Sequence, residues 1–162
     1  MVDANLIVHW FGNELTERMN AKGVTHRQVA FATHVAPMSV LDYMEGAHFP
    51  SPWSLVLMAE YLGCTVDELL GYESRCSNNY HKMAPAAALY RDEDSFTPYL
   101  RGRIVQKMNE LKMSEEELAR RSGVNIQTIK KYLCVHSGSP RMINLLRLCD
   151  AFKCTPSELM GY

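Results

Sequence analysis

The sequence predicts an all-α chain built from two tandem five-helix domains. Three observations predict it: self-similarity at a shift of about 90 residues, capping signals that open one short helix after another, and apolar residues recurring at helical spacing with no period-two run to compete. The repeat is clearest at its ends. Cys64-Thr65-Val66-Asp67-Glu68-Leu69-Leu70-Gly71-Tyr72 returns as Cys154-Thr155-Pro156-Ser157-Glu158-Leu159-Met160-Gly161-Tyr162. Upstream, Met19-Asn20 corresponds to Met108-Asn109, Ala30 to Ala119, Val35 to Val124, Tyr43 to Tyr132, Pro50 to Pro140 and Leu55 to Leu145.

Taken in order, the first helix of each copy carries one apolar face, Phe11, Leu15 and Met19 in one and Leu100, Ile104, Met108 and Leu111 in the other. Phe11 and its neighbour Trp10, extended by Leu6-Ile7-Val8, are expected in the core and at the helix cap, with dimerisation through this apolar stretch as the alternative. Thr25-His26-Arg27-Gln28 and Ser114-Glu115-Glu116-Glu117 have the capping-box pattern that opens a second helix. Pro50 and Pro140 precede the fourth helices, which bury Leu55, Met58, Ala59 and Leu62, and Leu145, Leu148, Cys149 and Phe152. Thr65 to Glu68 and Thr155 to Glu158 box the fifth. The domains are placed at residues 1–72 and 98–162. Residues 73–97, rich in Ser, Asn, Pro and Ala with the charged run Arg91-Asp92-Glu93-Asp94, read as a linker whose apolar stretch, 83–89, rests in part on a domain surface.

The net charge of −1 conceals a division. Up to Arg75 there are four Lys or Arg against nine carboxylates, and from Thr97 onward eleven against six. One acidic and one basic domain follow, and only the second has the balance of a nucleic-acid binder. Five cysteines without C-x-x-C spacing argue against a disulfide framework and a closed zinc site, and Cys76 with His81 supplies too few ligands. No metal and no cofactor are expected. The absence of a G-x-S-x-G, P-loop or H-E-x-x-H pattern leaves an enzyme reading without support. No apolar run reaches the roughly 20 residues of a membrane span, and the opening residues lack a basic leader, so the expected address is cytoplasmic.

Glu117 to Tyr132 is the most informative segment. Ala119 is small where two helices cross, Gly123 permits the positive φ of a tight turn, Val124 fills the core beneath it, and Asn125 caps the next helix. On that helix Ile129 and Leu133 face inward, while Gln127, Lys130 and Lys131 share the outer face. The segment resembles the lambda repressor/Cro-like (XRE) helix-turn-helix family, as does the whole of both copies over residues 10–72 and 99–162. The resemblance implies lambda repressor-like DNA-binding domains in a bacterial or phage regulator, with the first residues of the helix, Asn125, Ile126, Gln127 and Thr128, nearest the bases. Gln suits adenine and Lys the guanine acceptors. The resemblance also places His136, Ser137, Ser139 and Arg141 in a phosphate-contacting loop. Val135 departs from the pattern, standing where Gly46 ends the corresponding helix of the first copy.

In the first copy, Val29 to Tyr43 keeps the core positions and changes the chemistry. His34 replaces the turn glycine, Pro37 occupies the first helical turn, and the outer face becomes Met38, Leu41 and Asp42. His26, Arg27, Met38 and Ser39 are the subsidiary DNA-binding candidates there, and Met38 with Leu41 is also a candidate protein-contact patch.

These readings lead to a regulator of transcription that binds double-stranded DNA, most simply a repressor, with a protein-interaction adaptor or antitoxin-like partner as the alternative. Two arrangements supply a second reading head. A flexible linker of about 25 residues, reaching roughly 25–30 Å, would make one chain an intramolecular pseudo-dimer. The charge asymmetry favours the other, a homodimer joined through acidic first domains, which also leaves a protein partner on the first domain open.

Overall fold

The computed structural model describes residues 3–72 and 92–161, and the described residues fold into ten helices and no strand. The first five are α1 (Ala4–Lys22), α2 (His26–Thr33), α3 (Pro37–Met44), α4 (Pro52–Leu62) and α5 (Val66–Leu69). Their counterparts are α6 (Glu93–Glu110), α7 (Glu115–Ser122), α8 (Ile126–Leu133), α9 (Met142–Phe152) and α10 (Pro156–Met160). The capping chemistry explains the boundaries. Thr25, Thr65 and Thr155 each accept from the backbone N–H three residues on, and Gln28, Glu68 and Glu158 return the bond. Pro37 and Pro52 occupy first turns, where the missing N–H would have no helical partner.

One expected boundary moves. The segment read as a linker ends sooner, because α6 begins at Glu93 and takes Glu93 to Thr97 into the helix. Within the acidic run, Asp92 accepts from the Ser95 N–H at 2.9 Å while the Ser95 hydroxyl faces the Asp92 N–H at 3.4 Å, forming a capping box. Pro98 lies inside this helix. Leu111 also departs from expectation, being the C-cap and about half exposed, whereas Leu100, Ile104 and Met108 are buried. The apolar 83–89 stretch and the pair Cys76 and His81 lie outside the described residues.

Each domain wraps its helices round a fully buried column, Phe11, Leu15, Leu55 and Met58 in one and Leu100, Ile104, Leu118 and Leu145 in the other. Small differences set how closely the first and third helices approach. In the first domain α1 meets the end of α3 at Gly12, where a β-carbon would stand 2.7 Å from the Met44 and Tyr43 carbonyl oxygens. Arg101 occupies the corresponding place in the second. Its guanidinium bridges the gap, donating to the Tyr132 and Ser137 carbonyls at 3.4 and 3.3 Å.

The two domains are not beads on a string. Their buried side chains form one continuous cluster. Phe96, at the start of α6, is wholly buried with its ring centroid 5.3 Å from that of Trp53 on α4. Beside this contact α5 meets α10. The Asp67 N–H donates to the Ser157 hydroxyl at 3.2 Å, and the Ser157 N–H donates to the Asp67 carboxylate at 2.9 Å. Asp67 and Ser157 are equivalent positions of the repeat, so equivalent surfaces face each other as in a two-fold dimer, here within one chain.

Burial raises the Asp67 pKa, partly offset by the hydrogen bonds from Ser157 and Thr155. The folded state therefore holds this proton more firmly than the unfolded chain. The group's contribution to stability is complete below the unfolded value near 4 and is lost as pH rises through the raised folded value. Asp67→Asn keeps an acceptor for the Ser157 N–H and removes the titration. Thermal midpoints measured between about pH 4 and pH 7 should fall more steeply with rising pH in the parent than in the variant; parallel curves would exclude Asp67 as the titrating group.

Candidate nucleic-acid interface

The turn between α7 and α8 is built by short-range bonds that leave little freedom. Ser122, buried, donates from its hydroxyl to the Leu118 carbonyl at 2.6 Å and accepts the Val124 N–H at 3.2 Å. Gly123 then takes the left-handed conformation at φ 67°, which lets Val124 turn back into the core. Asn125 opens α8 by accepting the Gln127 N–H at 2.8 Å. Asn125→Ala should lower stability by about 1 kcal/mol without altering the fold, as read by chemical denaturation. A loss indistinguishable from zero would show that the cap bond contributes nothing.

α8 divides as the periodicity predicts. Ile129 is buried and Leu133 packs partly buried against the core, while Gln127, Lys130 and Lys131 are exposed and Ile126 and Thr128 are half-buried. Lys130 lies 4.0 Å from Glu115, the outer limit of an ion pair, and Lys131 has no ion-pair partner among the described residues. The sequence reading overlooked two neighbours, Arg120 and Arg121 near the end of α7. Both bond Glu117, whose pKa they pull down to about 2. With Glu117 so engaged, the box predicted at Ser114 is only half made, since Ser114 accepts the Glu117 N–H and receives no bond in return. The signal was available in the i, i+3 and i+4 spacing of Glu117, Arg120 and Arg121.

The loop after α8 needs no glycine. Cys134 leaves the helix in an extended conformation, Val135 points to solvent, and the Ser137 N–H returns to the Cys134 carbonyl at 3.2 Å. Arg101 fastens this loop from α6, and Asn144 donates to the Tyr132 hydroxyl at 2.7 Å from α9. His136 and Arg141 are exposed, and Ser137 and Ser139 half-buried. Ser139 and Arg141 are brought beside His48 to Pro52 of the first domain, where they line a cleft of about 580 Å³.

The corresponding face of the first domain keeps the frame. His34 takes the left-handed position at φ 56°, as expected of the residue replacing the turn glycine. Its chemistry is apolar. Phe31 is 86% exposed where the repeat has Arg120, and Met38 is 65% exposed where it has Gln127. Leu41 and Asp42, at the places of Lys130 and Lys131, are half-buried. Arg27 is exposed, while His26 and Ser39 are half-buried.

Residues 103–162 match the family model of the Cro/C1-type HTH DNA-binding domain, and residues 10–70 match the model of a helix-turn-helix domain. The chain is a tandem helix-turn-helix protein. No match was found among curated proteins or among solved structures. In its general class this tandem helix-turn-helix protein is a DNA-binding regulator. Among its described residues no helix is long and apolar enough to cross a membrane, and no three His, Cys, Asp or Glu side chains are grouped to hold a metal ion.

Proposed function

We propose that the tandem helix-turn-helix protein is a sequence-specific regulator of transcription that places α8 in the major groove of duplex DNA and represses by occupying its site. The observation that carries this reading is the exposed Gln127, Lys130 and Lys131 face on a helix whose opposite side is locked by buried Ile129. Gln127 is suited to an adenine edge and the lysines to guanine acceptors or phosphates. Asn125, Ile126 and Thr128 lie at the end nearest the bases, and His136, Ser137 and Arg141 serve the flanking backbone, whereas the Ser139 hydroxyl is buried beside the first domain. The paired Asp67 and Ser157 favour the intramolecular pseudo-dimer over a homodimer through first domains, because the chain makes a dimer-like seam with itself. A bound chain then reads one half-site strongly, and His26, Arg27, Met38 and Ser39 add at most backbone or methyl contacts in the other.

Retention of a random duplex pool at low ionic strength, followed by sequencing of the retained molecules, tests this directly. The expected result is a site read closely in one half, with affinity falling steeply as salt rises. Failure to retain any duplex would overturn the reading. Exposed Phe31 and Met38 favour a second one, in which the first domain acts as an adaptor that binds protein.

A further inference from the structure

The seam brings the same loop of the two copies to one place. Residues 49–52 of the first domain and 139–142 of the second are equivalent in the repeat, and both stretches line the cleft of about 580 Å³. Each leads into a fourth helix, α4 or α9, so two helix N-termini open on one space. A helix end of this kind carries about half a positive charge. Neither α4 nor α9 has an acidic residue in its first turn to offset it.

The start of α9 is the less satisfied of the two. Arg141 is its N-cap residue and makes no side-chain capping bond, and the Met142 and Ile143 N–H groups have no acceptor among the described residues. In α4, by contrast, the Ser51 hydroxyl accepts the Ser54 N–H at 3.2 Å. Two residues before Arg141, the Ser139 hydroxyl is shut off from solvent with no hydrogen-bond partner. His48 adds a ring N–H to the wall, its imidazole held edge-on to Tyr43 with centroids 5.1 Å apart. Among the described residues Glu93 is the only carboxylate lining the cleft, and it stands in the first turn of α6, where it offsets that helix's own positive end. Arg141 with the ends of α4 and α9 outweighs it by about one charge. The rest of the wall is largely apolar, with Val8, Phe49, Pro50, Pro140 and Ile143.

We propose that this cleft binds a small molecule with an apolar body and a single carboxylate, the carboxylate against Arg141 and the start of α9 and the body against the prolines and Phe49. The volume lies within the roughly 300–1,000 Å³ of sites for such ligands, which commonly form where two domains meet. The charge balance admits a monoanion and disfavours a dianion. The apolar wall requires a body that free phosphate lacks. A bound carboxylate also takes Arg141 from the flanking DNA backbone, a consequence that rests on the DNA-binding reading. Ligand and duplex then weaken each other's binding by the same factor.

The full chain is titrated with 2-naphthoate, with its neutral counterpart 2-naphthamide, and with inorganic phosphate. Calorimetry should give 2-naphthoate a dissociation constant of about 1 mM or tighter, the scale a ligand of its size reaches. The other two should bind at least roughly tenfold more weakly. Arg141→Gln should weaken 2-naphthoate by roughly tenfold and leave 2-naphthamide unchanged. Ala47 is exposed on the cleft wall, so Ala47→Trp should fill the space and abolish binding while moving the unliganded melting temperature by no more than about 2 °C. At about 5 mM 2-naphthoate and matched ionic strength, duplex affinity should fall roughly three- to sixfold in the parent and not in Ala47→Trp. The site is overturned if 2-naphthoate gives neither heat nor a rise in melting temperature, if 2-naphthamide or phosphate binds as tightly, or if either variant binds 2-naphthoate at the parental affinity. Should Ala47→Trp not fold, Arg141→Gln decides. A parent that binds 2-naphthoate and no duplex upholds the site and overturns the regulator reading, whereas one that binds both without competition overturns the role of Arg141 in linking them.

Discussion

The double reversal Lys130→Glu with Lys131→Glu is expected to reduce duplex affinity by roughly 10²- to 10⁴-fold at low salt, because each lysine contributes about 1–3 kcal/mol and reversal adds repulsion from the phosphates. Both side chains are exposed, so stability should change by no more than about 0.5 kcal/mol, which separates lost contact from lost fold. The nearby Glu115 is too weakly coupled to Lys130, at 4.0 Å, to change that expectation. If two phosphate-range cations have gone, the slope of log affinity against log salt should also shrink by about 2. A matched reversal at Lys112 and Lys153, both exposed on turns, keeps the change in net charge and spares α8. Equal losses in the two proteins would mean that a diffuse field, not the α8 face, holds the DNA.

Much of the architecture was legible because the repeat carries its own punctuation. Thr65 with Glu68 and Thr155 with Glu158 can be recognised from spacing alone, since a capping box is made within four residues. The outward face of α8 was legible for a similar reason. Once Ile129 is assigned inward, the helical period places Lys130 and Lys131 outside. What escaped was decided by competition or by distance. Ser114 and Glu117 fit a capping box, yet Glu117 gains more from two guanidinium groups one turn away. Asp92 to Ser95 was hidden inside an acidic run followed by Pro98, which reads as a breaker until the box fixes the helix ahead of it. The pairing of Asp67 with Ser157 spans 90 residues, and neither sequence neighbourhood signals it. The charge asymmetry likewise carried no signal of this seam, in which equivalent surfaces close on each other within one chain.

Phe96→Ala is expected to destabilise the protein by about 3–5 kcal/mol, which is a large share of the 5–15 kcal/mol that holds a typical domain folded. The side chain is completely buried at the start of α6 and tilts against Trp53 across the seam. Its loss therefore opens a cavity where the two domains share a core. The buried cluster is continuous in the parent, so a single cooperative transition is expected there; after truncation the transition should divide into two. Trp53 reports from the other side of the seam, and Trp10→Phe removes the remaining tryptophan, which is about half exposed. With Trp53 as the only indole, Phe96→Ala should shift its emission to the red before global unfolding, because water reaches the ring once its neighbour is gone. If its emission and its unfolding midpoint stay unchanged while the second domain alone loses stability, Phe96 serves only its own domain. The hydrogen bonds between Asp67 and Ser157 would then be left to hold the seam, and at about 0.5–3 kcal/mol each they are weak against the freedom of two separate domains.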